Sequence, residues 1–380
     1  MVYSQTERVI KMSKRGENIH KRKDGRWEAR IRVGNKYKSI YAKSYTELKA
    51  KIRQGIEEPK PIATPIAETI MQDICMDWLS HMEYNAKQST IAKYHHIVTK
   101  HIIPTLGNVL VADIDYNKVN AFIKEQSTSG NLVNKSALSS KTLKDIVCVL
   151  KQIFKFAQTR GYADTFSFEL LKLKAPPKDL RALTASEQEI LVQYLKEHIT
   201  YENVGILLAL FMGFRIGELC ALQWRDVDIQ NSLIQVSKTL QRIQNTDKDS
   251  AKKTIVIIDT PKSLKSVRII PIPKFIQDIL IDIYQNHSGE DYILTGNAHY
   301  MEPRKYQYKF KKRLKQIGLK DINFHALRHT FATRAVEQEM DIKSLSEVLG
   351  HATVSFTLDR YVHSSIELKR AGMEKLVACY

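Results

Sequence analysis

The first part of the chain alternates between apolar and polar positions. Over the range 27–33 every second residue is apolar, and the residues between them are charged. This period of two predicts a strand with one buried face. Asp-Gly at 24–25 and Gly-Asn at 34–35 are typical of hairpin turns, and Ser and Glu at the ends of 44–47 have capping-box spacing for a helix. The pattern predicts a three-stranded sheet backed by one helix over residues 13–57.

The next part of the chain has the periodicity of helices. Apolar residues recur at helical spacing in "IMQDICMDWLSHM" and in "SSKTLKDIVCVLKQIFKFAQTRGY". Between these, "STIAKYHHIVTKHIIPTLG" predicts a helix that ends at Pro104 and Gly107. Proline-containing segments, "EEPKPIATPIAET" and "LKLKAPPKDLRAL", flank this region and predict linkers. Residues 67–165 are therefore expected to form an all-helical domain.

The last 200 residues mix both periods. "VGILLALFMGFRIGELCALQWRDVDI" predicts a buried helix that breaks at Gly213 and then restarts, and Thr184 with Glu187 predicts the cap of an earlier helix. "SLIQVSKTLQ", "KKTIVIIDTPKS" and "SVRIIPIP" predict strands of one small sheet, and helices resume from Lys274. A last helix is expected from near Val354.

The predicted fold class is multidomain α+β. It consists of a small three-stranded sheet plus a helix, then an all-α domain, then a mixed, mainly α domain with a small antiparallel sheet. The residues that could carry out chemistry are concentrated in the last domain.

The distribution of charge favours a polyanionic partner. The first 60 residues hold seventeen lysines and arginines against seven carboxylates, so +10 of the net charge of +18 lies there. Nucleic acid is the simplest such partner, and a merely soluble basic surface is the alternative. A basic sheet of this size can enter a DNA major groove. The residues expected to contact DNA are Arg26, Arg30, Arg32, Lys36 and Lys38.

Other classes of protein are disfavoured by composition. No apolar run approaches the roughly 20 residues that cross a bilayer, and the N-terminal residues have no apolar core typical of a secretory signal. The four scattered cysteines form no C-x-x-C pair and are expected to be reduced thiols. We therefore expect a cytosolic protein with no membrane partner.

Two groups of histidines could suggest a metal site. His95, His96 and His101 lie on one predicted helix but without a completing carboxylate or thiol, so we expect them at the surface or facing DNA. His325 and His329 have the i, i+4 spacing of zinc proteases, but no glutamate follows the first of them as that motif requires. We predict no metal and no cofactor.

One set of residues in the last domain suits phosphodiester chemistry. Arg215 lies at the junction of two apolar segments, where a buried cation needs a partner, and Glu218 lies on the same helical face. Arginines bind non-bridging phosphate oxygens bidentately, and a phenol can be a nucleophile. The candidate catalytic residues are Arg215, Lys262, His325, Arg328, His351 and Tyr361.

The motifs that carry these residues resemble a known family. "GFRIGELCALQWRDVD", "TPKSLKSVRIIPIP", "HALRHTFAT" and "LGHATVSFTLDRYVH" are similar to motifs of tyrosine recombinases, specifically integrases of temperate phages and integrative conjugative elements. "STIAKY", "IIPTLG" and "LKQIFKFAQTRGY" resemble the family's core-binding domain, and the N-terminal sheet resembles its arm-type DNA-binding domain. One departure is Gly213-Phe214 before Arg215, where Thr-Gly followed by Leu, Met or Ala is common.

The resemblance implies three domains and a role for each site residue. The expected domains are an arm-type DNA-binding domain (1–60), a helical core-binding domain (67–165) and a catalytic domain with a C-terminal tail (178–380). The tail is expected to form an amphipathic helix that packs on a neighbouring protomer, and packing on its own domain is the alternative. The expected roles are as follows: Tyr361 attacks phosphorus, Arg215 and Arg328 stabilise the phosphoryl oxygens, Lys262 protonates the leaving 5′-oxygen, His325 assists proton transfer from the phenol, His351 hydrogen-bonds the phosphate, and Glu218 orients Arg215.

The resemblance also implies partners and leaves alternatives open. A recombinase would act as a homotetramer on double-stranded DNA with core-type and arm-type sites, with an excisionase and DNA-bending proteins as possible partners. It would integrate and excise a mobile element without metal or ATP. A relaxing enzyme of the type IB topoisomerase kind and a DNA-binding regulator without catalysis are the alternatives. The catalytic set disfavours the regulator, and the arm-like domain disfavours the relaxing enzyme.

Overall fold

The structure is a computed structural model. The residues that it describes are 19–22, 24–33, 36–54, 69–162, 168, 173, 181–247, 250–260, 266–284, 287–361 and 373–374.

The described residues form strands and helices whose order matches the predicted α+β class. The strands are β1 (Ile19–Lys21), β2 (Trp27–Val33), β3 (Lys36–Ala42), β4 (Val227–Asp228), β5 (Leu233–Val236), β6 (Thr239–Gln244), β7 (Thr254–Asp259) and β8 (Arg268–Pro271). The helices are α1 (Tyr45–Gln54), α2 (Met71–Glu83), α3 (Gln88–Ile97), α4 (Ile103–Leu106), α5 (Tyr116–Ser129), α6 (Ser140–Thr159), α7 (Ala185–Glu197), α8 (Tyr201–Met212), α9 (Ile216–Ala221), α10 (Lys274–Tyr284), α11 (Pro303–Gln316), α12 (His325–Glu337), α13 (Ile342–Leu349) and α14 (Val354–Tyr361).

The chain groups into two compact units. The first comprises the described residues of 1–78, 105–125 and 150–171, and the second those of 79–104, 126–149 and 172–380. The candidate catalytic residues that are described all belong to the second unit.

The first unit contains the predicted N-terminal sheet. Strands β1, β2 and β3 form an antiparallel sheet in that order. Ala29 of β2, Ala42 of β3 and Leu48 of α1 are buried together, so one face of the sheet packs against α1. The sheet and its backing helix are confirmed.

The DNA contacts predicted for this sheet stay a prediction. Arg26 is exposed, and its guanidinium donates to Asp24 Oδ2 (2.8 Å) in the first turn. The side chains of Arg30, Arg32, Lys36 and Lys38 lie outside the described part of the structure.

The region between α2 and α6 is helical, as predicted, but one expectation in it is wrong. Helix α3 continues into a π-helical segment, Val98–Ile102, and then into α4. His101 lies in that segment and is buried, and its Nδ1 is 3.1 Å from Gln126 Oε1. His101 lies three residues after buried Val98 and four after buried Ile97, so it shares their inward face rather than the surface. His96 is exposed, as expected.

The core of the second unit is built around α8. Nine of the twelve residues of this helix are buried, and α7 before it begins with the predicted capping box of Thr184 and Glu187. The predicted single sheet is divided in two: β4, β5 and β8 form one antiparallel sheet, and β6 and β7 form a separate hairpin. The division arises between β5 and β6, because the chain leaves the first sheet after Val236.

Two predicted features lie outside the described residues. They are the turn that carries Lys262 and nearly all of the C-terminal tail after Tyr361. Within the part of the chain that the structure describes, no helix has the length and apolar character needed to span a bilayer.

Candidate active site

The centre of the site is the C-terminal end of α13. Helix α13 ends at Gly350, whose φ of 63° is left-handed and favours glycine. The last carbonyl groups of a helix have no partner within the helix and carry partial negative charge. Three successive carbonyls here each accept a hydrogen bond from a different guanidinium: Arg268 Nε donates to Val348 (2.5 Å), Arg328 Nη2 to Leu349 (2.5 Å) and Arg215 Nη2 to Gly350 (3.2 Å).

A second helix end holds Arg328 from the other side. Arg328 Nη1 donates to the carbonyl of Gly213 (2.6 Å), the residue that ends α8 with a φ of 68°. An added Cβ at Gly213 would lie 2.6 Å from Phe331, so both the backbone conformation and the packing require glycine. The break predicted at Gly213 is confirmed. Because the helix ends there, the Gly213 carbonyl is free to accept from Arg328, which is 1% exposed.

Glu218 joins two of the arginines. Its carboxylate accepts from Arg215 Nη1 (2.7 Å) and, with both oxygens, from Arg268 (3.0 and 2.8 Å). It also accepts from the backbone N–H of Arg215, the N-cap residue of α9 (3.0 Å). Burial alone would raise the pKa of Glu218, but the guanidinium groups of Arg268 and Arg215 outweigh it and lower the pKa to about 2. The carboxylate is therefore ionised and neutralises part of the arginine charge.

Arg268 is a site residue that the sequence reasoning missed. It is the first residue of β8 and is 8% exposed, on the same face of the strand as buried Ile270. The signal was present in "SVRIIPIP", because period two places an arginine among inward-facing isoleucines. A charge at an inward position needs a partner, and that partner is Glu218.

The candidate nucleophile lies at the end of α14. Tyr361 packs beside Leu345 and Leu349, and its hydroxyl is 2.6 Å from His329 Nδ1. His329 was considered from sequence only as a zinc ligand, and no pattern in the sequence pairs it with Tyr361. His325, the predicted partner of the phenol, is exposed and forms an edge-to-face ring contact with His329, with centroids 4.6 Å apart.

His351 lies on the other side of Tyr361. The two rings are nearly parallel, with centroids 6.4 Å apart, and His351 Nδ1 is 2.8 Å from Thr357 Oγ1 on α14. Thr357 is buried, one helical turn before Tyr361, so this contact fixes the face of α14 that meets the site. Burial, together with the charges of Arg328 and Arg215, lowers the pKa of His351 to about 3. The ring is neutral at neutral pH.

The phenol is protonated in this structure. Burial raises the pKa of Tyr361 above its ordinary value, and the charges of Arg328, Arg360 and Arg215 offset only part of that increase. The arginine charges therefore lower the pKa of Tyr361, but by less than burial raises it. Negative charge added at the arginines by a bound phosphate would also disfavour the phenolate. Attack by Tyr361 therefore needs a group that accepts the phenol proton.

The structure brings together five of the six predicted catalytic residues, and Lys262 lies outside the described part. The cluster combines a concentrated positive charge, held by two helix ends and one carboxylate, with a phenol at its edge. Such a cluster can bind a phosphodiester through guanidinium groups and present an oxygen nucleophile to phosphorus. Among the described residues, no group of three or more histidine, cysteine or carboxylate side chains could hold a metal ion.

Known protein families and individual proteins are similar in sequence to this chain. The Phage integrase family matches residues 181–367, and the N-terminal SAM-like domain of phage integrases matches residues 71–126. The "Tyrosine recombinase XerC-like" protein of Caldanaerobacter subterraneus is 26% identical over 371 residues, 89% of this chain and 91% of that protein. The ICEBs1 integrase of Bacillus subtilis is 22% identical over 346 residues, 88% of this chain and 89% of that protein.

A solved structure agrees with these sequence relatives. The Tn1549 transposon integrase, in complex with a circular intermediate DNA, superimposes with a TM-score of 0.66 at 23% identity, over 81% of this chain and 100% of that one. The chain belongs to the phage integrase family of tyrosine recombinases.

Proposed function

We propose that this chain is a site-specific DNA recombinase that integrates and excises a mobile element through a 3′-phosphotyrosyl intermediate. The observation that carries the proposal is the position of the Tyr361 phenol, which lies close enough to Arg215 and Arg328 for their positive charges to act on it. Both guanidinium groups are oriented by backbone carbonyls and retain N–H groups that can bind phosphate. The names of the relatives support the mobile-element role.

The reaction follows from the chemistry of these groups. Tyr361 Oη attacks the scissile phosphorus, the 3′-phosphate becomes attached to the tyrosine, and the 5′-oxygen leaves with a proton. Arg215 and Arg328 stabilise the charge that develops on the non-bridging oxygens, and Lys262 is the proposed acid. The 5′-hydroxyl of a partner strand then attacks the phosphotyrosine. The bond energy is conserved, so neither ATP nor a metal is required.

The assembly that we propose is a homotetramer on two double-stranded sites. Recombination breaks four strands, and each protomer supplies one Tyr361, so four protomers are needed. We propose that residues 1–60 bind arm-type sites, that 67–165 and 178–380 bind the core-type site, and that the tail links neighbouring protomers. An excisionase and DNA-bending proteins are proposed partners, and the protein would act on nucleoid DNA in the bacterial cytoplasm.

A plasmid assay separates a recombinase from a relaxing enzyme. Two supercoiled plasmids would carry the two junction sequences that flank the element, and the buffer would contain excess EDTA. We expect recombinant plasmids, because arginines rather than a metal neutralise the phosphoryl charge. Relaxed plasmids without recombinants would instead support the topoisomerase-like alternative. A requirement for added zinc or magnesium would contradict the proposed metal independence.

Deletion of residues 1–60 tests the arm-type domain. The deletion removes a net charge of +10, so binding to arm-type DNA should weaken, and its dependence on salt should flatten. Each lost phosphate contact lowers the slope of log K against log salt by roughly 0.9. Covalent cleavage of a core-type duplex should persist. Loss of core cleavage with retained arm binding would show that the domain assignment is wrong.

A further inference from the structure

We propose that His329 is a catalytic residue, whose Nδ1 receives the proton of Tyr361 as the phenol attacks phosphorus. The inference rests on the proposed function, because it concerns the same nucleophile. It assigns to His329 the proton transfer that the family resemblance implies for His325.

The geometry favours His329 over His325 as the acceptor of the phenol proton. Its Nδ1 is 2.6 Å from Tyr361 Oη, within the range of a short hydrogen bond between the two groups. Among the described residues, no hydrogen bond joins His325 to the phenol. His329 is also 3% exposed, so water does not compete for its Nδ1, whereas His325 is open to solvent and to an incoming phosphate.

The other ring nitrogen of His329 supports a functional rather than a structural role. Because the phenol is protonated, it donates to Nδ1, and the proton of the neutral imidazole is then on Nε2. Nε2 is buried and has no hydrogen-bond partner among the described residues. A buried unpaired donor costs roughly 1–3 kcal/mol. An apolar residue would remove that cost, so packing alone does not account for a histidine here.

The surrounding charges determine how strong a base His329 is. Burial and the neighbouring His325, Arg360 and Arg328 lower the pKa of His329 to about 4. The ring is therefore neutral and able to accept a proton, but it is a weak base in the free protein. His351 and Arg215, which also border the phenol, add no negative charge. A phosphodiester bound to the two guanidinium groups would add negative charge and favour the imidazolium.

The proposed step balances in both directions. The O–H bond of Tyr361 breaks and its proton moves to Nδ1, the Oη–P bond forms, the bond from phosphorus to the 5′-oxygen breaks, and that oxygen receives a proton from the separate acid. In the rejoining step the 5′-hydroxyl attacks phosphorus and returns its proton to that separate acid, now in its basic form, the Oη–P bond breaks, and the imidazolium of His329 gives its proton to Tyr361 Oη. No oxidant, metal or other reactant is required.

His329→Asn distinguishes proton transfer from mere positioning. Asn Oδ1 can accept the phenol hydrogen bond near the position of Nδ1, but it cannot take the proton. Covalent adduct would be measured on suicide duplexes made from the junction sequence, with oxygen or sulfur bridging the scissile bond. We expect His329→Asn and His329→Ala to slow adduct formation by about 10²–10⁴-fold on both duplexes. Lys262→Ala should be slow only with oxygen, because a thiolate leaves without protonation.

Two further readouts complete the test. With the sulfur-bridged duplex, the wild-type rate should fall as the pH is lowered and His329 becomes protonated, and His329→Asn should lack this decrease. Thermal unfolding shows whether each variant is folded. A His329→Asn variant with wild-type rates would reduce His329 to a positioning residue and overturn the proposal, as would a larger effect of His325→Asn on both duplexes. If the wild-type protein forms no adduct with either duplex, the proposed function itself fails.

Discussion

Replacing Tyr361 with phenylalanine is expected to abolish the covalent DNA adduct while leaving DNA binding unchanged. The substitution removes one oxygen, and that oxygen is the group placed at the edge of the arginine cluster. The guanidinium groups proposed to bind phosphate keep their carbonyl partners, so affinity for a core-type duplex should not change. The adduct would be measured as a protein–DNA band that survives denaturant, and binding by mobility shift.

Two comparisons make this result specific. Tyr308→Phe, on α11 and 72% exposed, is the matched control and should form adduct at the wild-type rate. Tyr380→Phe tests the one tyrosine beyond Tyr361, which lies outside the described residues. Tyr361→Phe also leaves His329 without its partner, so a small loss of stability, about 1 kcal/mol, should accompany it. Adduct formation by Tyr361→Phe would show that another side chain is the nucleophile.

The local elements of the fold were predictable because short-range patterns specify them. Period two predicted β2, and the capping box predicted the start of α7. The apolar run interrupted at Gly213 predicted the junction at which Arg215 lies. That junction also exposes the carbonyl that Arg328 needs, which no local pattern indicates, because the two residues are 115 positions apart.

The contacts inside the site were less predictable, because they join residues that are far apart in the sequence. The pairing of Arg215 with Glu218 follows from helical spacing, but the second partner of Glu218, Arg268, is 50 positions away on a strand. The contact of His329 with Tyr361 depends on how α14 packs beside α12, and a histidine adjacent to Arg328 carries no signal of that packing. Sequence motifs therefore predicted part of the site, and only tertiary structure showed Arg268 in it and the contacts between its groups.

Replacing Glu218 with glutamine is expected to be the most destabilising conservative change in the site. The carboxylate neutralises Arg268, which is 8% exposed, and it orients Arg215. Breaking a buried ion pair by removing one partner costs about 3–5 kcal/mol, because the remaining charge is left without compensation. Denaturant unfolding should show a loss of this size, and Glu189→Gln, exposed on α7, is the matched control that should show almost none.

The pH dependence of stability gives an independent measure of the same pair. The pKa of Glu218 is lowered from 4.5 to about 2 in the folded protein. Its contribution is therefore fully present above pH 4.5 and is lost as the pH falls towards about 2. By linkage the whole contribution is about 3 kcal/mol. The difference in unfolding free energy between wild type and Glu218→Gln should therefore shrink over that pH interval. A difference that stays constant would show that the neighbouring arginines do not lower the pKa of the Glu218 carboxyl.

A double variant separates the stabilising role of Glu218 from its proposed role in orienting Arg215 for catalysis. In Glu218→Gln with Arg268→Met, the buried cation is removed together with its partner, and stability should recover much of the loss. Arg215 still lacks the carboxylate that orients it, so cleavage of a core-type duplex should stay slow, by about 10²–10³-fold, the usual effect of losing one electrostatic contact at a developing oxyanion. Recovery of both stability and rate would mean that Arg215 is held well enough by Gly350 alone. Stability that recovers without the rate would assign Arg268 to support of the fold and Glu218 to alignment of Arg215 on the scissile phosphate.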